Sequence, residues 1–392
     1  MPLNLSNFKF NIDGQPVDLN KVFVPKDVFT EGGLWVAGSS FYGQIGDGTT
    51  VSKSSPIQTV AGGREWKSVS SGGTLCSAVK SDGTLWSWGI NTLGQLGDNS
   101  TVNKSSPVQT VSGSSVWRQV SASQNGCSAI KTDGTLWSWG LNSAGQLGDN
   151  STVNKSSPVQ TVAGSNTAWK QVSKHDLYTL ALKVDGSLWS WGNNSSYNLG
   201  DGTLTSRSSP VQVFGSEKTW KQASAGGLSA AIKTDGTMYV WGISDSSPVT
   251  VVGGGTSWKY VGEGGLASGF VAIKTDGTLW TSGDNTYGQL GDGTTTASTA
   301  KSPVQVLGAS KNWKQVSGAG YSVAAVKTDG TLWAWGLNDT GQLGDGTTVN
   351  KSSPVQILGG GSNWKQVSIT SNTSVNFSLL AAVKNDEYIN TI

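Results

Sequence analysis

The sequence predicts an all-β protein: a seven-bladed β-propeller of four-stranded antiparallel blades, with a short N-terminal extension. Three observations carry this prediction. A Trp followed by Lys or Arg recurs seven times along the 392 residues. An Asp-Gly pair followed by a short strand-like run, usually Leu-Trp, recurs six times. No stretch shows the 3.6-residue periodicity of an amphipathic helix.

The recurring Trp marks the start of each repeat. Its copies are spaced by 51, 52, 51, 38, 55 and 51 residues, a period typical of solenoids, arrays and propellers. The Trp opens one short strand, and an apolar strand such as 75–80 follows it. The seven copies are Trp66, Trp117, Trp169, Trp220, Trp258, Trp313 and Trp364.

The Asp-Gly pairs predict the hairpin between the second and third strands. Asp-Gly between strand-like runs favours a type I′ turn, in which both central residues have positive φ. A glycine-rich loop such as 94–99 then leads to an SSPVQTV segment, whose Pro suits an edge strand. The pairs begin at Asp82, Asp133, Asp185, Asp235, Asp276 and Asp329.

The two ends of the chain predict how the ring closes. Residues 33–35 match the third-strand residues 84–86, and the repeat pattern stops after 382–386, the end of a second strand. We therefore expect one blade to combine two strands from each terminus, which leaves a propeller only short, protected edges. Residues 32–392 then form the propeller, and residues 1–31 a separate extension.

Composition and charge exclude several functional classes. Lys and Arg number 27 and Asp and Glu 25, so the net charge of +2 argues against a nucleic-acid binder that relies on bulk charge. One His and two Cys leave little material for a metal or redox site. No run of 18 apolar residues and no secretory signal is present, so we expect no membrane span.

No motif predicts catalysis, a cofactor or a metal. A catalytic triad, a paired metal motif or a phosphate loop each needs a particular set of side chains, and none is recognisable. We interpret the GQLGDG-type loops as tight turns capped by their Asp rather than as calcium or phosphate loops. Cys76 and Cys127 occupy the same slot of adjacent repeats and are interpreted as small buried residues. His175, in a polar turn, is interpreted as a surface residue.

Two sets of residues are candidates for binding. The basic residue after each first-strand Trp predicts a ring around one mouth of the channel, where it would attract an anion. A second ring, two residues before each turn Asp, is interpreted as neutralised by those aspartates. Loop tyrosines Tyr42, Tyr197 and Tyr287 are candidates for stacking on sugars. The first ring comprises Lys67, Arg118, Lys170, Lys221, Lys259, Lys314 and Lys365.

The string at residues 82–98, repeated at 133–149 and 329–345, closely resembles the repeat of the regulator of chromosome condensation (RCC1)-like family. The resemblance covers residues 32–392 and implies a seven-bladed propeller, here of a phage or bacterial member. Family members include a guanine-nucleotide exchange factor, ubiquitin ligases, photoreceptors and phage proteins. The chain lacks the family's second-strand His, a basic tail and a wedge-like insertion, which argues against exchange activity.

The sequence therefore predicts a non-enzymatic binding or assembly module. Near-verbatim repeats such as 100–111 and 151–162, sparse charge and the lack of a signal peptide favour a bacteriophage virion protein on the tail, baseplate or capsid surface. Residues 1–31 would bind other virion proteins, and the propeller loops a host-surface glycan or protein. The alternatives are a carbohydrate-binding propeller and, less favoured, a GTPase exchange factor; the alternative location is cytoplasmic.

Overall fold

The computed structural model describes residues 10–12, 15–17, 33–60, 65–111, 116–162, 168–252, 255–298, 302–308, 310–359, 361–370 and 378–384. Within these ranges the secondary structure is β-strand and turn, and no helix there is long and apolar enough to cross a membrane. The strands, in chain order, are β1 Phe10–Ile12, β2 Gln15–Val17, β3 Leu34–Gly38, β4 Lys53–Gln58, β5 Trp66–Ser71, β6 Leu75–Lys80, β7 Leu85–Gly89, β8 Lys104–Gln109, β9 Trp117–Ser123, β10 Gly126–Lys131, β11 Leu136–Gly140, β12 Lys155–Gln160, β13 Trp169–Lys174, β14 Tyr178–Lys183, β15 Leu188–Gly192, β16 Arg207–Gln212, β17 Trp220–Ser224, β18 Ser229–Lys233, β19 Met238–Gly242, β20 Asp245–Thr250, β21 Trp258–Val261, β22 Val271–Lys274, β23 Leu279–Thr281, β24 Val304–Gln305, β25 Trp313–Ala319, β26 Ser322–Lys327, β27 Leu332–Gly336, β28 Lys351–Gln356, β29 Trp364–Thr370 and β30 Leu379–Lys384.

Seven four-stranded antiparallel sheets form the blades, which confirms the predicted fold. Blades 1 to 6 are β5–β8, β9–β12, β13–β16, β17–β20, β21–β24 and β25–β28. Blade 7 has the order β29-β30-β3-β4, so it joins both ends of the chain. Leu34 pairs with Val383 and Gly38 with Leu379 across this seam.

The hairpin turn differs from the predicted type I′ geometry. Gly83 has a φ of 81°, but Asp82 is not among the residues with positive φ. Gly83 N donates to Lys80 O at 3.0 Å, and Lys80 N to Thr84 O at 2.9 Å, which is a type I turn followed by a left-handed Gly. The Asp82 carboxylate accepts from Thr84 N at 2.8 Å. An Asp that bonds its own turn does not need a positive φ, so only the Gly adopts one.

Tryptophans fill the spaces between blades, as the repeat predicts. In the five third strands that have a second Trp, such as Trp139, this side chain is fully buried against the Trp that opens the same blade, with ring centroids 6.1 Å apart for Trp117 and Trp139. Trp139 Nε1 also donates to Gln95 O, in the glycine-rich loop of the preceding blade, at 3.0 Å. The other two blades have a small residue in this position: Ser282 in blade 5, where the preceding blade lacks the loop, and Ala37 in blade 7, where the preceding blade has it.

First strands form the wall around the axis and are tied to one another by glutamines. The Gln171 amide donates to Ala223 O at 2.9 Å and accepts from Ala223 N at 3.1 Å, so it binds both backbone groups of one residue in the next blade. Gln119, Gln222, Gln315 and Gln366 make the same pair of bonds. We call each such pair of bonds a glutamine clamp. Five of the seven blade junctions have one.

Candidate functional sites at the two ends of the channel

The two faces of the propeller carry different chemistry. In blades 1 to 6 the second strand ends at an Asp-Gly turn, and the first strand of the same blade starts beside that end, as the pairing of Trp66 with Lys80 shows. In blade 7 Trp364 pairs with Lys384 in the same way. We call the end with these turns the hairpin face. The opposite end carries the connections between first and second strands, and we call it the loop face.

The structure brings the seven predicted basic residues together on the hairpin face. The strand register shifts by one residue at this position in every blade; Trp66 pairs with Lys80 and Ser68 with Val79, so Lys67 is the extra residue of a β-bulge. A bulged residue does not pair across the sheet, and all seven side chains are exposed. We call these residues the basic ring.

The charges of the basic ring are mostly uncompensated. The side chains of its six lysines make no hydrogen bond or ion pair to the described residues. Arg118 donates to Trp169 O at 2.9 Å and Lys170 O at 3.1 Å, which neutralises no charge.

The second lysine ring lies between aromatic side chains instead of pairing with the turn aspartates. Each Nζ is 4.1–5.3 Å from the ring centroids of two aromatic residues, as for Lys131 over Trp117 and Trp137. The Asp133 carboxylate accepts from Thr135 N and Oγ1, and these bonds hold the pKa of Asp133 below its usual value. Cation–π contact leaves the ammonium charge in place. Among the described residues these lysines form no ion pair with the turn aspartates, although the charge of Lys131 also contributes to the lowered pKa of Asp133.

Positive charge is therefore concentrated on the hairpin face, although the net charge of the whole chain is small. The hairpin face carries the two rings of seven cations together with Lys218 and Lys311, against the six turn aspartates, Glu65 and Glu217. Counted over the described residues alone, this is an excess of eight positive charges on a chain whose net charge is +2.

At the loop face, the axis opens into a cavity of about 300 Å³ lined by all seven blades. Serines at one level of the first strands form part of its wall. The Ser121 hydroxyl accepts from Lys174 N of the next blade at 2.9 Å. Ser70, Ser173, Ser317 and Ser368 accept from the next blade in the same way, at 2.9–3.1 Å.

Blade 3 adds three ionisable residues to this wall, and sequence reasoning did not select them as a site. Lys174 is buried, and Gly126 leaves room for it, since a Cβ there would lie 3.3 Å from Lys174 Cε. Lys174 Nζ donates to Gln146 O at 3.4 Å, and burial lowers the pKa of Lys174 to about 8. His175, expected at the surface, is half-buried on the cavity wall, and its Nδ1 is buried without a partner. Asp176 Oδ1 accepts from Gln124 N at 2.7 Å.

Blade 5 contributes an unpaired carboxylate. Glu263 and Leu266 form parallel bridges to Ser317 and Gly320 of blade 6, which hold this connection against the neighbouring blade. The half-buried Glu263 side chain has no hydrogen bond or ion pair among the described residues, and burial raises its pKa to about 7. The sequence indicates that this connection is unusual, because the interval from the first-strand Trp to the second-strand Lys is 16 residues in blade 5 (Trp258 to Lys274) and 14 residues in blade 1 (Trp66 to Lys80).

The three predicted tyrosines all lie in connections between third and fourth strands. Tyr287 packs edge-on against Tyr321, with centroids 5.3 Å apart, and Tyr321 lines the cavity. Tyr42 packs against Phe41 at 5.4 Å, and Tyr197 has a φ of 58°. None of the three belongs to the cavity lining itself.

The remaining candidates, which are the aspartates of the glycine-rich loops and the two cysteines, have contacts that explain them as structural residues. Asp47 Oδ1 accepts from Thr49 N at 2.9 Å, and Asp292 and Asp345 bond their own turns in the same way. Cys76 and Cys127 are buried free thiols, and burial raises the pKa of Cys127 to about 12. In the described part of the chain, no group of three His, Cys, Asp or Glu residues could hold a metal ion.

Comparison with known proteins agrees with the repeat and the fold. The profile of the regulator of chromosome condensation (RCC1) repeat matches residues 82–130, 133–182, 185–232, 276–326 and 329–375. The ultraviolet-B receptor UVR8 of Arabidopsis thaliana is 28% identical over 319 residues, 80% of this chain and 63% of the receptor. Human E3 ubiquitin-protein ligase HERC2 is 28% identical over 324 residues, 77% of this chain and 7% of the ligase.

Solved structures give the same result for the fold. Prp20p from Saccharomyces cerevisiae superposes with a TM-score of 0.76 at 17% identity, over 92% of this chain and 93% of Prp20p. The chain spans less than two thirds of the length of UVR8 and HERC2. Because five repeat matches cover more than half of its residues, the chain belongs to the RCC1 repeat family.

Proposed function

We propose that this chain is a non-catalytic protein-binding module whose hairpin face docks on an acidic surface of a partner protein. The observation that carries the proposal is the basic ring, exposed in all seven blades, on a face whose described residues have an excess of eight positive charges. Complementary potentials steer association and select partners. A face of this charge therefore favours a partner that presents Asp and Glu.

The rigidity of the scaffold supports a binding role. Glutamine clamps and serine hydroxyls tie the first strands of neighbouring blades, and both termini close blade 7. The basic ring is held on these strands, so its backbone needs little ordering when a partner binds. Preorganisation of this kind reduces the entropic cost of association.

The relatives supply a second line of support. Prp20p is described as binding Gsp1p and histones, and the yeast RCC1 (Prp20) has been solved bound to Kap60. These partners belong to those proteins. They support protein recognition as the general use of such a propeller, while the identity of this chain's partner rests on its own surface.

In its narrower form, the proposal makes this chain a structural component of a bacteriophage particle. Near-verbatim repeats, sparse charge and loops rich in Ser, Thr and Asn support it. Residues 1–31 are the proposed tether to other virion proteins. Within them, β1 and β2 form a two-stranded antiparallel ribbon, with Phe10 paired with Val17, and the rest lies outside the described residues.

Site-specific photocross-linking in the cells that produce the chain tests the docking face. A photoreactive residue at Lys221 probes the hairpin face, and one at Val153 probes an exposed loop away from the basic ring. We expect Lys221 to cross-link to an Asp- and Glu-rich segment of one protein, and the complex to dissociate as salt rises. Cross-linking to a nucleic acid, or to partners only from Val153, would overturn the proposal.

A matched pair of variants controls for net charge. The first carries Lys67→Gln, Lys170→Gln, Lys221→Gln and Lys314→Gln. The second carries Thr50→Glu, Thr101→Glu, Thr152→Glu and Thr348→Glu at exposed loop positions, which changes the net charge by the same amount. We expect only the first to lose the complex. Equal loss in both would mean that the distribution of charge is irrelevant.

A further inference from the structure

We propose that the axial cavity at the loop face binds a neutral, hydroxyl-rich ligand of the size of a monosaccharide. The cavity volume of about 300 Å³ lies at the lower end of the range for small-molecule pockets. The cavity is at the opposite end of the channel from the basic ring, so this inference stands independently of the proposed docking face.

The wall offers hydroxyl donors. Ser70, Ser121, Ser173 and Ser368 each line the cavity and accept a backbone N–H from the next blade at 2.9 Å. A hydroxyl that accepts in this way still has its own hydrogen to donate. No described residue accepts those four hydrogens, so they are available to a ligand.

The same wall offers acceptors. The Glu263 carboxylate has no partner among the described residues. Asp176 uses Oδ1 to accept from Gln124 N, and its Oδ2 makes no hydrogen bond to a described residue. His175 lines the cavity, and its Nδ1 is buried without a partner. A buried polar atom without a partner is costly, and a bound ligand can provide one.

This combination selects a ligand that both donates and accepts. The described lining residues include two carboxylates, Glu263 and Asp176, and one ammonium, Lys174, so the wall does not favour an anion. A bare ammonium ion would pair with the carboxylates but leave the serine hydroxyls without acceptors. Each hydroxyl of a sugar donates and accepts, so a sugar satisfies both sides.

An aromatic side chain completes the site. Tyr321 lines the cavity and is braced edge-on by Tyr287. The C–H face of a sugar ring is apolar, and tyrosine offers a flat apolar surface with a polar tip. Lys174 and Glu263 occupy the same first-strand slot, which holds Ser71, Ala122, Ala225, Gly318 and Ile369 in the other blades. The blade architecture therefore does not fix the side chain in this slot, and it can serve a ligand.

Saturation-transfer NMR on the full chain tests the proposal with glucose, galactose, mannose, rhamnose and N-acetylglucosamine as probes. Methylammonium and acetate serve as cation and anion probes. Ala267→Phe places a ring in the cavity, and Ala168→Phe is its matched control at an exposed position. We expect at least one sugar to bind, and Ala267→Phe to weaken its binding by about tenfold or more while Ala168→Phe has no effect.

Two further variants keep the test informative if Ala267→Phe fails to fold. Glu263→Gln removes the charge of a cavity carboxylate, and Glu65→Gln does so on the hairpin face. At a pH well above 7, where the Glu263 carboxyl with its pKa of about 7 is ionised, we expect Glu263→Gln alone to weaken sugar binding by about three- to tenfold, since hydrogen bonds to a charged acceptor are the stronger ones. No binding by any of the five sugars, equal effects of the two Gln variants, or binding of methylammonium or acetate in place of sugars would overturn the proposal.

Discussion

The glutamine clamps give the sharpest quantitative prediction, because the chain contains both the clamp and its natural absence. Gln171 binds Ala223 N and O at 3.1 and 2.9 Å. At the junction of blades 1 and 2 the same slot is Ser68, whose hydroxyl is buried without a partner. Replacing Gln171 by Ser in one variant and Ser68 by Gln in another should therefore change the free energy of unfolding in opposite directions.

The expected size follows from two hydrogen bonds. Each contributes about 0.5–1.5 kcal/mol net, so Gln171→Ser should lower the free energy of unfolding by about 2 kcal/mol. Ser68→Gln should gain a similar amount less the cost of ordering a Gln side chain, about 1.5 kcal/mol, and end slightly stabilised. Urea unfolding followed by Trp fluorescence measures both.

Gln160→Ser is the matched control, because Gln160 ends an outer strand with an exposed side chain. It should change the free energy of unfolding by less than about 0.5 kcal/mol. If Gln171→Ser and Gln160→Ser have the same effect, or if Ser68→Gln is strongly destabilising, the clamps are not what ties the first strands together.

Three further predictions concern other parts of the molecule. Lys131→Met should destabilise by about 1 kcal/mol in thermal unfolding through loss of two cation–π contacts, and an effect no larger than that of Lys67→Met would contradict this. Trp139→Phe should lower the free energy of unfolding by about 1–3 kcal/mol more than the loss of buried area alone predicts, because it leaves Gln95 O unpaired. A loss no larger than the buried area predicts would contradict this. Burial raises the pKa of Glu263 from 4.5 to about 7, so between these pH values the folded protein keeps a proton on Glu263 that the unfolded chain has lost. The contribution of Glu263 to the free energy of unfolding therefore falls as the pH rises from 4.5 to 7. Glu263→Gln should therefore become about 1–3 kcal/mol more stable relative to the parent as pH rises from 4.5 to 8, and a pH-independent difference would refute the raised pKa.

The repeated part of the architecture could be predicted, because repetition makes each element visible several times. The Trp spacing and the ends of the pattern at 33–35 and 382–386 predict the blades and the shared blade 7, as observed. The turn type was wrong, since Asp82 bonds Thr84 without adopting a positive φ. Local propensity cannot distinguish the two turns when the same Asp-Gly pair suits both.

The candidate sites were less accessible to sequence reasoning, for two physical reasons. Net charge sums over the whole chain, so the cations of the hairpin face were offset by carboxylates elsewhere. The cavity depends on contacts between blades, such as Lys174 over Gly126, that no single repeat contains. The useful signals were departures from the repeat, including the 16-residue interval from Trp258 to Lys274.

Electron cryomicroscopy of the native assembly that contains this chain would show which face of the propeller contacts a partner. We expect the hairpin face, with Lys67 and its counterparts in the other six blades, to be buried against an Asp- and Glu-rich surface of another protein. A reconstruction in which the basic ring faces solvent, while the chain contacts its neighbours through the loop face alone, would contradict this expectation.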